Sequence, residues 1–230
     1  MLSRKIDLVL PVYNPNKGWL DQVQANRQLL AAACGEEIRL IIVDDGSEKN
    51  LGIEPNTFQE TVQLIKLPFN QGKGAALRKG FEAADAPIVL FTDIDFPYEI
   101  DSIVKVVRSI ENGADVSLGY REDDYYDRVP LFRKIMSESF RFVLKTILRF
   151  PITDTQCGLK GMNQRGKDIF MQTKIDRFLV DMEFIKRAVK AKNLRIEPVV
   201  VQLRYDVVFS KMGIRVIIGE LMNFMRIFFV

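Results

Sequence analysis

Between residues 87 and 100 the chain reads PIVLFTDIDFPYEI, an apolar run that ends in two carboxylates on alternate positions, Asp93 and Asp95. Charges beside a core are expensive unless something pairs with them. A strand that simply continued would already point these acids, two positions apart, to one face. A turn at its end can bring both to one ligand. Hard oxygen donors at this spacing suit Mg2+ or Mn2+ carrying a diphosphate, since a divalent ion bridges protein and phosphate oxygens. The plainer alternative is a solvated strand end. A second pair, Asp44 and Asp45, closes the apolar run LIIV and precedes Gly46 and Ser47. It can accept hydrogen bonds from a base NH and ribose hydroxyls, or cap a turn. In a third element, NQGKGAALRKGF, Lys73 stands between two glycines at the start of an alanine-rich helix. That arrangement suits an anionic group. Its spacing is not that of a P-loop, and Arg78 and Lys79 read as a solvated face.

The elements that must position these residues alternate. Strand signals fall at 6–12, 38–43, 62–67, 88–92 and around 115–119, with helical stretches at 17–33, 74–84 and 98–111. Short Val/Ile/Leu strands alternating with helices predict an α/β domain, a mostly parallel sheet covered on both faces. Ligands of such sheets bind beyond the carboxyl ends of the strands. Asn14, Asp44, Asp45, Asp93 and Asp95 all fall there. The second half offers a long helix at about 130–150, the stretch DTQCGLKGM, a helix at about 180–192 and the β-rich run LRIEPVVVQLRY. The simplest division is one domain over 1–212 and an amphipathic helix over 213–230.

Composition removes several chemistries. There is no histidine, which excludes a Ser-His-Asp triad and histidine-rich zinc sites. Any protein base must then be a carboxylate or lysine. Two distant cysteines, Cys34 and Cys157, make no disulfide framework and point to a reducing, cytoplasmic compartment. Cys157 reads as packing. A net charge of +3 is too mild to point to nucleic acid. The N-terminal apolar stretch is broken by Asp7 and reads as a first strand rather than a signal peptide. No run reaches the roughly 18 uncharged apolar residues of a membrane span.

Taken in order, VLPVYNP, IIVDDGS, NQGKGAALRKGF and LFTDIDFP resemble the family-2 glycosyltransferases with the A-type nucleotide-sugar fold. The resemblance implies a single Rossmann-like domain. It assigns Pro11, Tyr13, Asn14, Asp44 and Asp45 to the base and ribose of a UDP- or GDP-sugar, and Lys73 to the donor site. Asp93 and Asp95 would take the diphosphate and its metal, with Glu99 or solvent completing the shell. DTQCGLKGM and FLVDMEFIKRA look like the polyprenyl-phosphate branch, which moves a hexose onto a dolichyl or undecaprenyl phosphate with inversion. LRYDVVFSKM resembles that branch's phosphate-binding segment, so Arg204, Ser210 and Lys211 would meet the acceptor phosphate. An ionised phosphate needs no strong base. An alcohol acceptor would, and Asp154 and Asp181 are the candidates, with Glu183 beside the latter. A soluble or growing glycan acceptor, or a non-catalytic member of the fold, stays open as an alternative.

Two stretches carry broad apolar faces. In IRVIIGELMNFMRIFFV the polar residues form a narrow stripe, and LFRKIMSESFRFVLKTILRF adds a basic side. Basic and apolar together favour an anionic membrane surface, hence a peripheral position at the cytoplasmic face. Packing on the domain or a homo-oligomer contact is the alternative for the terminal helix. Either the chain docks peripherally, or it is a piece of a longer protein.

Overall fold

The computed structural model describes residues 6–48, 51–52, 61–121, 154–155 and 157–205. In chain order these form β1 (Ile6–Val12), α1 (Trp19–Cys34), β2 (Ile38–Asp44), β3 (Val62–Lys66) and α2 (Lys73–Ala83). There follow β4 (Ile88–Phe91), α3 (Ile100–Glu111), β5 (Val116–Tyr120), β6 (Lys160–Met162), α4 (Gln164–Phe170), α5 (Val180–Lys190) and β7 (Ile196–Val200). The strands make one sheet in the order β3-β2-β1-β4-β6-β5-β7. Every neighbouring pair is parallel except those of β6, which runs antiparallel to β4 and β5.

Continuous apolar strands make sense in such a sheet because both faces are covered. Ile6, Leu8 and Leu10 on β1 join Val23 and Leu30 of α1 and Val106 and Ile110 of α3 in one core. Val9, facing the other way, packs with Leu77 and Phe81 of α2, Phe170 of α4 and Phe184 of α5. Phe81 and Phe170 meet edge to face with centroids 4.5 Å apart, a favoured arrangement for paired rings. The sheet is therefore held as a rigid shelf, and its carboxyl rim is where the loops converge.

β1 buries one charge. Asp7 is 0% exposed and is the ladder partner of Arg39 on β2. Arg39 donates from Nε to Asp7 Oδ1 at 2.9 Å and from Nη2 to Oδ2 at 2.8 Å, and the amides of Asp85 and Ala86 donate to Oδ2 as well. Burial pushes the Asp7 carboxyl up, but the Arg39 guanidinium and the two amides outweigh it and hold the group below the usual carboxylate range. An acid of this kind stabilises the fold above its unfolded pKa of about 4, and the stabilisation is lost as pH falls toward the folded value. Asp7→Asn is expected to cost about 2–3 kcal/mol at pH 7. Denaturant titrations should show that gap narrowing through the acidic range; a gap unchanged at low pH would contradict it.

The strands and helices lie within a few residues of their expected positions. β6 and α4 were not anticipated. Three residues that include Gly161 carry too little pattern to register as a strand. The stretches at 130–150 and 213–230 lie outside the described residues. Among the described residues, no helix is long and apolar enough to cross a membrane, and Cys34 and Cys157 are both free and buried.

Candidate active site

The carboxyl rim opens into a cavity of about 650 Å3 between the loops after β1 and β4 and the starts of α2 and α5. Tyr13, Asn14, Lys73, Asp93, Asp95 and Asp181 all line it. A turn carries the acidic pair. β4 stops at Phe91, and the Phe96 amide donates to the Asp93 carbonyl at 3.1 Å. Phe96, at φ 46°, buries its ring completely and anchors the loop. Both carboxylates thereby reach one wall. Asp93 also depends on a neighbour without a side chain: a β-carbon at position 158 would lie 2.3 Å from Asp93 Oδ2. Tyr98 fixes that stretch, its phenolic oxygen accepting from the Gly158 amide at 2.8 Å and from the Cys157 thiol at 3.3 Å. Burial raises the thiol's pKa, so Cys157 is packing, as expected.

Four alternating charges run inward from this wall. Lys73 Nζ lies 2.9 Å from Asp93 Oδ1 and 3.6 Å from Asp181 Oδ2. Asp181 Oδ1 in turn pairs with Lys160 Nζ at 2.8 Å, and Lys160 also donates to the Cys157 carbonyl. Both ammoniums stand near the Phe91 ring, 5.8 Å and 5.4 Å from its centroid. Asp95 is exposed on the cavity side, yet partial desolvation and then the charge of Asp93 push its carboxyl above the usual range, while Lys73 and Arg204 pull it down.

Other residues singled out from the sequence form the frame behind the cavity. Pro11 sits within β1 opposite Val43. Asp44 is buried and accepts from the Ser47 amide at 2.8 Å. Asp45 gives both oxygens to the amides of Gln71 and Gly72, at 2.7 and 2.8 Å. The second acidic pair thus holds the loops that carry Asn14 and Lys73 instead of facing the cavity. Asn14 joins them, its amide donating to Ser47 Oγ and its Oδ1 accepting from the Glu48 amide.

The start of α2 is likewise committed. The amides of Gly74 and Ala75 donate to the Asp176 carbonyl, and a β-carbon at Gly72 or Gly74 would collide with residues 175 and 176. These glycines admit a crossing chain, and from this helix start it is Lys73 that reaches the cavity. Arg78, expected to be solvated, staples that same chain through the Ile175 carbonyl and Asp176. Lys79 does lie exposed, paired with Glu82.

The acceptor-side acids are buried and occupied. Arg121 grips Asp154 through both oxygens at 2.8 Å, and Asp154 is not on the cavity wall although Arg121 is. Glu183 is fully buried, accepting from the Lys174 and Ile175 amides and pairing with Arg187. Glu99 does not line the cavity; it precedes α3, and its amide donates to Gln202. The Arg204 amide donates to the Pro97 carbonyl, and Tyr98 bridges Leu203, so the 202–204 segment is stitched to the acidic loop. Ser210 and Lys211 lie outside the described residues. Trp19, Gln22, Arg121 and Phe178 line the cavity as well. They belong to no motif singled out in the sequence, although Arg121 directly follows β5.

A glycosyl transferase family 2 model matches residues 7–170. A dolichyl-phosphate beta-glucosyltransferase of Drosophila melanogaster is 27% identical over 210 residues, which cover 83% of this chain and 64% of that protein. An undecaprenyl-phosphate 4-deoxy-4-formamido-L-arabinose transferase of Proteus mirabilis is 29% identical, covering 73% and 52%. The chain thus spans less than two thirds of the length of these relatives. Among solved structures, the UDP complex of glucosyl-3-phosphoglycerate synthase from Mycobacterium tuberculosis superposes with a TM-score of 0.68 at 16% identity, covering 93% of this chain and 75% of that one. A Mn2+ complex of the same synthase gives 0.58 at 15% identity, covering 89% and 73%. At such identities the likeness is one of fold.

Proposed function

The chain belongs to glycosyl transferase family 2, and on that footing we propose that it moves a hexose from a UDP- or GDP-sugar onto a polyprenyl phosphate at a membrane surface. The names of its relatives support this acceptor class. In this reading the nucleoside lies toward Tyr13 and Asn14, and the diphosphate toward Lys73, Asp93 and Asp95. The donor set fits a hard divalent ion: two carboxylates share one wall, and among the described residues no cluster of three acids, cysteines or histidines completes a protein cage. Asp93 and Asp95 would hold Mg2+ or Mn2+ with substrate oxygens and water, and the ion would neutralise charge on the departing diphosphate.

The acceptor's phosphate oxygen attacks the anomeric carbon as the bond to the diphosphate oxygen breaks. The electron pair leaves with the nucleoside diphosphate, and the configuration inverts. One observation carries the choice of acceptor. Asp154 and Asp181, the acids that could deprotonate an alcohol, are both already engaged by cations. A phosphate arrives ionised and needs no such base, so catalysis reduces to positioning and charge stabilisation. Arg204, Ser210 and Lys211 are the proposed cations and hydroxyl for that phosphate. To test this, the protein is incubated with labelled UDP- and GDP-sugars, with and without undecaprenyl or dolichyl phosphate. Label is expected in the lipid phase only when the lipid is present. Label on a water-soluble glycan alone would overturn the proposed acceptor.

A further inference from the structure

We infer that Lys73 is a movable counter-ion: it occupies Asp93 until a divalent ion displaces it, and the displaced ammonium then grips the donor's diphosphate. This rests on the function proposed above. Asp93 presents Oδ1 to Lys73 at 2.9 Å, whereas its Oδ2 is packed against Gly158. A metal ion approaching through Oδ1 meets a positive charge already seated there. Two cations cannot share one carboxylate oxygen at that separation without strong repulsion.

Lys73 is built to move without being stranded. Its side chain is only 12% exposed, so leaving its partner would ordinarily strand a charge away from water. Asp181 prevents this, standing 3.6 Å away and itself fixed by Lys160, whose side chain is 1% exposed. Lys73 therefore has two carboxylate anchors at the edge of a cavity, and it can release one while keeping the other. The diphosphate replaces the anchor that the metal takes.

Metal and lysine are thus competitors for Asp93 when no donor is bound, and allies once it is. Lys73→Met should tighten binding of Mn2+ alone by about tenfold, as followed by electron paramagnetic resonance, a size ordinary for a coupling between adjacent sites. With Mn2+ saturating, the same variant should bind UDP or GDP about tenfold more weakly by calorimetry, with little change in EDTA. Lys73→Arg keeps the charge and should leave Mn2+ affinity within about twofold of wild type. Mn2+ binding no tighter in Lys73→Met, with nucleotide binding intact in the wild type, overturns the inference alone. A wild-type protein that binds neither Mn2+ nor a nucleoside diphosphate overturns the inference and the proposed donor site together. A structure with Mn2+ and UDP gives a second readout that needs no variant. Lys73 Nζ on the diphosphate and off Asp93 supports the exchange; an ammonium still seated on Asp93 refutes it.

Discussion

Asp95→Asn is expected to cut hexose transfer by about 10^2–10^3-fold, the usual consequence of removing one group that stabilises transition-state charge. The substitution keeps the shape and the turn but removes one of the two carboxylates proposed to hold the metal. Calorimetry with UDP or GDP should show the Mn2+-dependent part of nucleotide affinity falling, while binding in EDTA is largely unaltered. Stability should move the other way. A carboxyl held above its ordinary pKa favours the folded state only when protonated, so at neutral pH its charge works against folding. The variant should melt at the same temperature as wild type or slightly higher. Full turnover in Asp95→Asn would remove the metal from the proposed chemistry, whereas a lower melting temperature would make the activity loss uninterpretable.

Asp181→Ala is expected to be the most damaging change to the fold among the rim acids, at about 3–5 kcal/mol. It leaves Lys160, fully buried in the sheet, with a carbonyl and the face of Phe91 as its remaining partners. Those contacts orient an ammonium but do not neutralise it. The double variant Lys160→Met with Asp181→Ala removes both charges, and much of the lost stability should return, because replacing a buried pair outright is far less costly than halving it. Urea unfolding of the two singles and the double measures the coupling. If the losses simply add, the pair is not the connected unit that its 2.8 Å separation indicates.

The half of the fold that follows simple rules was legible in advance. β1, β2 and β4 are buried on both faces, so their near-continuous Val, Ile and Leu residues announce them, and the acids that follow mark the rim. What the sequence hid was the job of each acid. Asp44 and Asp93 both follow an apolar strand, yet Asp44 is turned into the loop frame by the Ser47 amide while Asp93 faces the cavity. For Asp44 the deciding amide lies three residues on, but Asp45 is claimed by amides 26 and 27 residues away, which no local pattern records. Lys160 was illegible for the same reason: its carboxylate partner lies 21 residues away. The glycines around Lys73 misled in a more specific way, since a residue that admits a phosphate and one that admits a crossing carbonyl look identical in sequence.

The reversed strand has a consequence for how the molecule assembles. β5 touches β4 only through β6, and β6 arrives 40 residues after the end of β5. The β3-β2-β1-β4 block can therefore form by itself, but β5 and β7 have no place on it until three residues from a distant stretch slot into the gap. β6 pairs with two strands at once, Met162 standing opposite both Val89 and Val116. The second half of the sheet should accordingly form only once Lys160–Met162 has docked, with Lys160 bringing its charge in as it does so.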